Sequence, residues 1–438
     1  MTLVTCVFRT AALFLVAVLV LLMGCKAPES AAPGGGLDTQ PPDATPASDA
    51  SLADGNWPRF RGPRGDGGSA SVDILSSWEA ASGEGILWTA AIPLPGTGSP
   101  VVWENRIFCT GATADAQQVY CLDATTGDLL WTGDAPAGSP MPEVMEMTGF
   151  AAPTPVTDGR HVCALFANGM LVCLDVDGNE VWHKDLGVPE NPYGLASSPI
   201  THGDLVIVQY DHGYDDDDLS FLLALHVDSG DVAWQVSRDT AASWATPLLI
   251  RADGRDELIT CAKPWVIAND PVSGDELWRV DCIDGELGPS PTFAGGLVLI
   301  AGEGTPLTAI RPGGSGDVTV SHVAWQFDDG IPDICSPASD GELVFTLMTY
   351  GLLTCLQVAD GELIWQEQLD GSFLASPATV GDKLYVTTEE GETLILSAGR
   401  EFAELGRSSL GEPVSASPAF AEGRIYMRGA SHVYCIGE

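Results

Sequence analysis

Eight Ser-Pro or Thr-Pro pairs punctuate the chain, with prolines at Pro100, Pro155, Pro199, Pro247, Pro291, Pro337, Pro377 and Pro418. Most are followed by two alternating apolar runs, a turn and a Gly-x-x-x-Trp signature. That signature reads GDLLW at 127–131, GNEVW at 178–182, GDVAW at 230–234, GDELW at 274–278 and GELIW at 361–365. Trp325 closes a longer variant, and Phe402 is expected to substitute for the tryptophan in the seventh unit. A period of roughly 40–50 residues carrying four short strands marks a β-propeller. One such unit cannot bury both faces of its sheet, so the units must stack around an axis.

The residue before each pair is small: Gly98, Pro153, Ser197, Ala245, Pro289, Cys335, Ala375 and Ala416. At the start of the innermost strands, bulk would clash where the sheets crowd together. The last unit stops after its third strand and lacks a tryptophan, whereas GILWTAAI at 85–92 carries Trp88 with no repeat before it. The sequence therefore predicts an all-β, eight-bladed propeller of four-stranded blades. Residues 86–92 complete the last blade beside 431–436 and seal the ring. Seven blades is the alternative if the seventh unit is irregular.

Upstream, Arg9 precedes the apolar run AALFLVAVLVLLM, which is short for a membrane span and ends in Leu22-Met23-Gly24-Cys25. This resembles the lipobox of bacterial lipoproteins, which implies cleavage before Cys25 and a lipid on its thiol. The expected organisation is a signal peptide at 1–24, a lipid-anchored flexible tether at 25–55, a lead-in strap at 56–84 and the propeller at 85–438. Almost no bulky apolar residue lies between Lys26 and Gly55, so that stretch cannot bury a core.

The strand-turn pieces VYCLDATTGDLLW and LVCLDVDGNEVW resemble the pyrroloquinoline-quinone-like propeller repeats, over about residues 56–438. That family includes the BamB-like outer-membrane assembly lipoproteins and the quinoprotein alcohol dehydrogenases. The lead-in NWPRFRGPRGDG resembles that of secreted propellers of planctomycete-type bacteria. The resemblance is specific for fold and weak for activity. The dehydrogenase branch uses an adjacent Cys-Cys disulfide over its cofactor and long catalytic insertions. This chain has no Cys-Cys pair, so neither cofactor nor catalytic residues are expected.

Sixty acidic residues against nineteen basic ones leave a net charge of −41, which repels nucleic acid and anionic membrane surfaces. Cys121, Cys173, Cys355 and Cys435 share one slot that Ala224, Ala268 and Ala309 fill elsewhere, the pattern of a small packing position. Cys109 and Cys163 precede two of them on the neighbouring strand. Cys109–Cys121 and Cys163–Cys173 disulfides stay open. A two-residue turn at Asn168-Gly169 puts Cys163 and Cys173 on opposite faces, while a three-residue turn at Ala167-Asn168-Gly169 sets them directly opposite. No C-x-x-C pair suggests zinc. The acidic run Asp215–Asp218 lacks the spacing of a calcium loop and reads as a solvated hairpin tip.

Met141, Met145, Met147 and Phe150 lie on the long connection between the first two units, and are expected either to contact a partner or to fold into a satellite core. Arg59, Arg61 and Arg64, with Trp57 and Phe60, are expected to strap the lead-in against the acidic body, or else to take an acidic ligand. No nucleophile elbow, phosphate loop or metal-ligand motif appears. The reading is a non-catalytic, monomeric envelope scaffold with the propeller in the periplasm, anchored by lipid, in outer-membrane protein assembly by resemblance. Its partner is an unidentified envelope protein. The alternative is an enzyme, or a small-ligand or calcium binder, with its site in the propeller funnel.

Overall fold

The computed structural model describes residues 44–46, 55–69, 74–214 and 217–438. The expected signal peptide, Cys25, nearly all of the tether, and Asp215 and Asp216 lie outside the described residues. Within the tether, Thr45–Pro46 pairs with Ile250 and Arg251.

Eight sheets with four antiparallel blade strands each stand around an axis; the first seven run from innermost to outermost strand in chain order, and the eighth takes its outermost strand from the start of the domain. The first blade is Val101–Trp103, Arg106–Ala112, Gln117–Asp123 and Leu129–Asp134. The third is Ile200–His202, Leu205–Tyr210, Phe221–His226 and Val232–Ser237. Middle strands such as Leu205–Tyr210 are buried at every position because a neighbouring blade covers each face. In Val232–Ser237, an outermost strand, Trp234 is buried between exposed neighbours.

The ring closes as the sequence predicts. Ile86–Ala91 is the outermost strand of the eighth blade, antiparallel to His432–Ile436, with Trp88 opposite Cys435. The shared Cys/Ala slot now has a cause, because each of its members faces the tryptophan of its own blade. Cys121 is paired with Trp131, Cys173 with Trp182, Ala224 with Trp234, Ala268 with Trp278, Ala309 with Trp325 and Cys355 with Trp365.

The seventh blade departs from expectation. Its tryptophan position is Gly406, paired with Ile395, so the large and small partners are exchanged. Phe402 does not replace the tryptophan. Ser397 N–H donates to Ala403 O as Asp123 N–H donates to Asp128 O in the first blade, which aligns Phe402 with the signature glycine Gly127. Phe402 meets Trp365 of the sixth blade edge-on, with centroids 5.5 Å apart. Trp78 of the lead-in is buried in the same cluster as Ile395, and its amide donates to Ser408 Oγ at 2.9 Å.

The lead-in is more than a strap. Trp57 bridges to Val102 of the first blade, Pro58 O accepts from Thr157 of the second, and Gly68–Ser69 pairs in parallel with Thr379 and Val380 of the seventh. Trp57 also packs edge-on against Phe420 of the eighth blade, 5.6 Å between centroids. Arg61 donates to Thr292 Oγ1 of the fifth blade at 2.9 Å and to Pro337 O beside the sixth. Residues 57–69 thus cross the axis and join inner strands from opposite sides of the ring. The arginines hold this plug mainly through backbone carbonyls rather than through the acidic surface. Arg59 donates to Pro63 O at 2.8 Å, and Arg64 pairs with the carboxylate of Asp66 at 2.7 Å.

Candidate functional site

The recurring Ser/Thr-Pro pairs build the floor of an axial funnel. The amide of Ser99 donates to Thr154 Oγ1 at 2.9 Å, Thr154 to Ser198 Oγ at 3.0 Å and Ser198 to Thr246 Oγ1 at 3.0 Å. The belt continues from Thr246 to Ser290 at 2.9 Å, Ser290 to Ser336 at 2.9 Å, Ser336 to Ser376 at 3.0 Å and Ser376 to Ser417 at 2.9 Å. Each hydroxyl from Thr154 round to Ser417 therefore accepts the amide of the preceding blade, which is why those units need Ser or Thr there. Proline follows at no hydrogen-bonding cost, because it immediately precedes the innermost strand and lies outside that strand's ladder. All eight hydroxyl residues line the funnel, together with Phe60 of the plug.

The mouth is formed by the connections that lead into the innermost strands. Its cavity is about 390 Å³, within the range of ligand pockets. Met145 and Met147 contribute from the connection between the first two blades, Tyr193 from the next and Trp244 from the one after. Glu286, Asp333 and Ile334 continue the rim from later connections, and Glu303 joins them from the hairpin between the second and third strands of the fifth blade. The structure divides the four residues singled out on the first connection. Met141 and Phe150 are partly buried against the cluster containing Val101 and Phe108, and the Met141 sulfur lies 3.6 Å from Gln117 Nε2. Met145 and Met147 are 42% and 45% exposed and face the funnel. Tyr193 and Trp244, which the sequence reading missed, pack at 5.1 Å between centroids and 58° between planes. Trp244 Nε1 donates to Gly194 O at 2.8 Å and Asn191 Oδ1 at 3.0 Å, fixing the indole. The charge of Glu286 raises the Tyr193 phenol above its ordinary pKa.

This lining limits the chemistry. It contains no His, Cys, Lys or Arg among the described residues, so its hydroxyls have no imidazole base, and seven of the eight floor hydroxyls already serve the belt. Pyrroloquinoline quinone, a tricarboxylate, does not suit a funnel whose charged lining residues, among those described, are Glu286, Glu303 and Asp333. Among the described residues no three acidic, His or Cys side chains converge to hold a metal ion. Asp217 and Asp218, the described part of the acidic run, are exposed between the second and third strands of the third blade. Asp217 Oδ2 accepts from Tyr214 N at 2.8 Å.

The cysteine registers are resolved. Cys163 lies directly opposite Cys173 with the sulfurs 2.9 Å apart, because 167–169 form a three-residue turn. Cys109 instead faces Tyr120, and Cys121 faces Phe108, so the first blade does not set its two cysteines opposite each other.

A profile of the family described as outer membrane protein assembly factor BamB matches residues 69–190, 115–259 and 315–401. The outer membrane protein assembly factor BamB of Alkalilimnicola ehrlichii is 26% identical over 211 residues, which cover 47% of this chain and 51% of that protein. The match thus spans about half the length of that relative. The crystal structure of BamB from Moraxella catarrhalis is similar at TM-score 0.59 and 16% identity, covering 81% of this chain and 97% of that one. A quinohemoprotein alcohol dehydrogenase from Comamonas testosteroni reaches TM-score 0.65 at 14% identity, covering 89% and 82%. The computationally designed Ika8 protein reaches 0.57 at 12%, covering 81% and 99%. At these identities the structural likeness concerns the fold alone.

Proposed function

The chain belongs to the family described as outer membrane protein assembly factor BamB, and from that premise we propose that it is a non-catalytic scaffold of outer-membrane protein assembly. The carrying observation is the funnel mouth. There, exposed Met145 and Met147 stand on a connection held by buried neighbours, above a floor whose hydroxyls are committed to the blade-to-blade belt. Rigid rings that carry their variable loops at one rim suit partner binding. Lipidation at Cys25 places this scaffold on the periplasmic face of the outer membrane as a monomer. Two experiments test the reading. A photo-crosslinker at position 145 in native envelopes should capture a component of the β-barrel assembly machinery, and deleting the protein should lower outer-membrane β-barrel levels. Unchanged levels together with no such adduct would overturn the proposal. Mass spectrometry of membrane-extracted protein should find a lipidated Cys25 and no peptide from 1–24; an intact, unmodified Cys25 on most molecules would remove the anchor.

A further inference from the structure

We propose that the funnel mouth receives an arginine side chain presented by an extended segment of the partner protein. The inference rests on the scaffold reading and names the chemistry that the partner must carry.

One arc of the rim is aromatic and thioether, with Met145, Met147, Tyr193 and Trp244. The adjoining arc is acidic, with Glu286, Glu303 and Asp333. The three carboxylates come from separate segments, and among the described residues no basic side chain of the lining neutralises them. They are also too dispersed to hold a metal ion together. A spread of negative charge beside a fixed indole suits a cation that is broad and flat rather than compact. A guanidinium is planar, stacks on aromatic faces and donates a fork of hydrogen bonds to carboxylates, whereas an ammonium is a compact, strongly hydrated charge. The Trp244 N–H is already spent on Asn191 and Gly194, so the indole offers a guest its π-system rather than a hydrogen bond. Methionines at the rim adapt to the aliphatic stem and to apolar flanking residues. The cavity of about 390 Å³ suits one or two side chains, not a folded element. The net charge of −41 draws cationic segments toward the molecule.

The test uses the whole mature chain and the acetylated, amidated peptide Gly-Phe-Arg-Phe-Arg-Gly, followed by calorimetry and tryptophan fluorescence. Binding should be tighter than about 1 mM. The citrulline counterpart, equal in shape but uncharged, should bind at least about tenfold more weakly. Glu286→Gln with Glu303→Gln, and separately Trp244→Ala, should each weaken the arginine peptide about tenfold or more, whereas Glu401→Gln, at an exposed site outside the funnel, should not. Equal binding of the two peptides, binding that survives the funnel variants, or complete displacement by equimolar spermidine would overturn the assignment. If it falls while the adduct from position 145 persists, the scaffold reading stands alone. Loss of both removes the mouth as an interface.

Discussion

A Cβ placed on Gly230 would lie 2.7 Å from the indole of Trp182, because the tryptophan of the second blade packs directly onto the glycine of the third. The Trp182 N–H reaches the same turn, donating to Val227 O at 2.7 Å. The relation recurs between Trp131 and Gly178, Trp234 and Gly274, Trp325 and Gly361, and across the closure between Trp88 and Gly127. The two residues of a Gly-x-x-x-Trp signature therefore serve opposite faces of their blade. The glycine receives one neighbour's indole, and the tryptophan reaches out to the next.

Gly230→Ala tests that relation. Gly230 has φ +73°, so any side chain incurs about 1–2 kcal/mol of left-handed backbone strain. The clash with Trp182 should add about 1–3 kcal/mol. Gly411 has φ +74° with open space around its Cβ position, so Gly411→Ala should cost only the backbone part. Thermal unfolding followed by circular dichroism compares the two; equal losses would remove the packing argument.

The repeat was legible because its period and its fixed residues answer to contacts that recur at every blade boundary, as Ser290 does with Ser336 and Trp131 with Gly178. Trp88 was legible for the same reason, since its blade lacked an outer strand. Phe402 misled because spacing alone cannot tell the glycine position from the tryptophan position once both are altered. The axial plug was hidden because its contacts are mostly to backbone carbonyls, such as that of Pro337, which every sequence supplies. The aromatic arc of Tyr193 and Trp244 was invisible because the two residues come from different connections and meet only once the ring has closed.

Oxidative refolding should link Cys163 to Cys173 and leave Cys109 and Cys121 as thiols. The first pair is cross-strand with sulfurs 2.9 Å apart, while the second is out of register. Burial holds the Cys163 thiol well above its ordinary pKa, so the exchange with a disulfide oxidant should occur during folding rather than on the folded ring. Peptide mapping without reductant after refolding in oxidised glutathione reads the outcome. Full alkylation of Cys163 and Cys173 in the unfolded, non-reduced product would contradict it.

Asp211 and Arg238 form a buried ion pair at 2.8 Å inside the third blade, bonded also to Gln209 and Thr260. Asp211→Ala should destabilise the propeller by about 3–5 kcal/mol, because it leaves the guanidinium buried without a counter-charge. Replacing both, as Asp211→Leu with Arg238→Met, should recover much of that loss. Chemical denaturation of the single and double variants measures the difference. A double variant no more stable than the single one would show that the hydrogen bonds to Gln209 and Thr260, not the charges, dominate.

Arg61 is expected to fasten the plug. Its guanidinium is buried, and burial lowers its pKa to about 10. It donates to Thr292, Pro337 and the carbonyl of Asp66. At about 1.5–3 kcal/mol for a hydrogen bond from a charged group, Arg61→Ala should cost at least that much. It should also make residues 57–69 susceptible to limited proteolysis before the blades unfold. Simultaneous loss of plug and blades would show one cooperative unit, and no change in either would show that Arg61 fastens nothing.

The closure depends on one indole. Trp88 is buried, packs against Tyr426 at 6.1 Å and donates to Ala124 O at 3.1 Å. Arg424 Nη1 donates to the same carbonyl at 3.2 Å, so the seam between the eighth and first blades converges on one acceptor. Trp88→Ala should cost about 3–5 kcal/mol, and Trp88→Phe less, since a ring would still cover Gly127. Trp131 makes the matching hydrogen bond to Val176 O at 3.0 Å but is only partly buried, so Trp131→Ala should cost less than Trp88→Ala. Deleting residues 56–92 removes plug and closing strand together, and exposes the edge of His432–Ile436. An open edge of that kind invites pairing with other chains. That deletion should therefore lower the unfolding temperature of the whole ring and promote association visible by light scattering. Deleting residues 27–55, which removes only the short pairing of Thr45–Pro46 on the fourth blade, should change both far less. A Trp88→Ala variant that unfolds at the wild-type temperature would mean that the ring holds without its closing tryptophan.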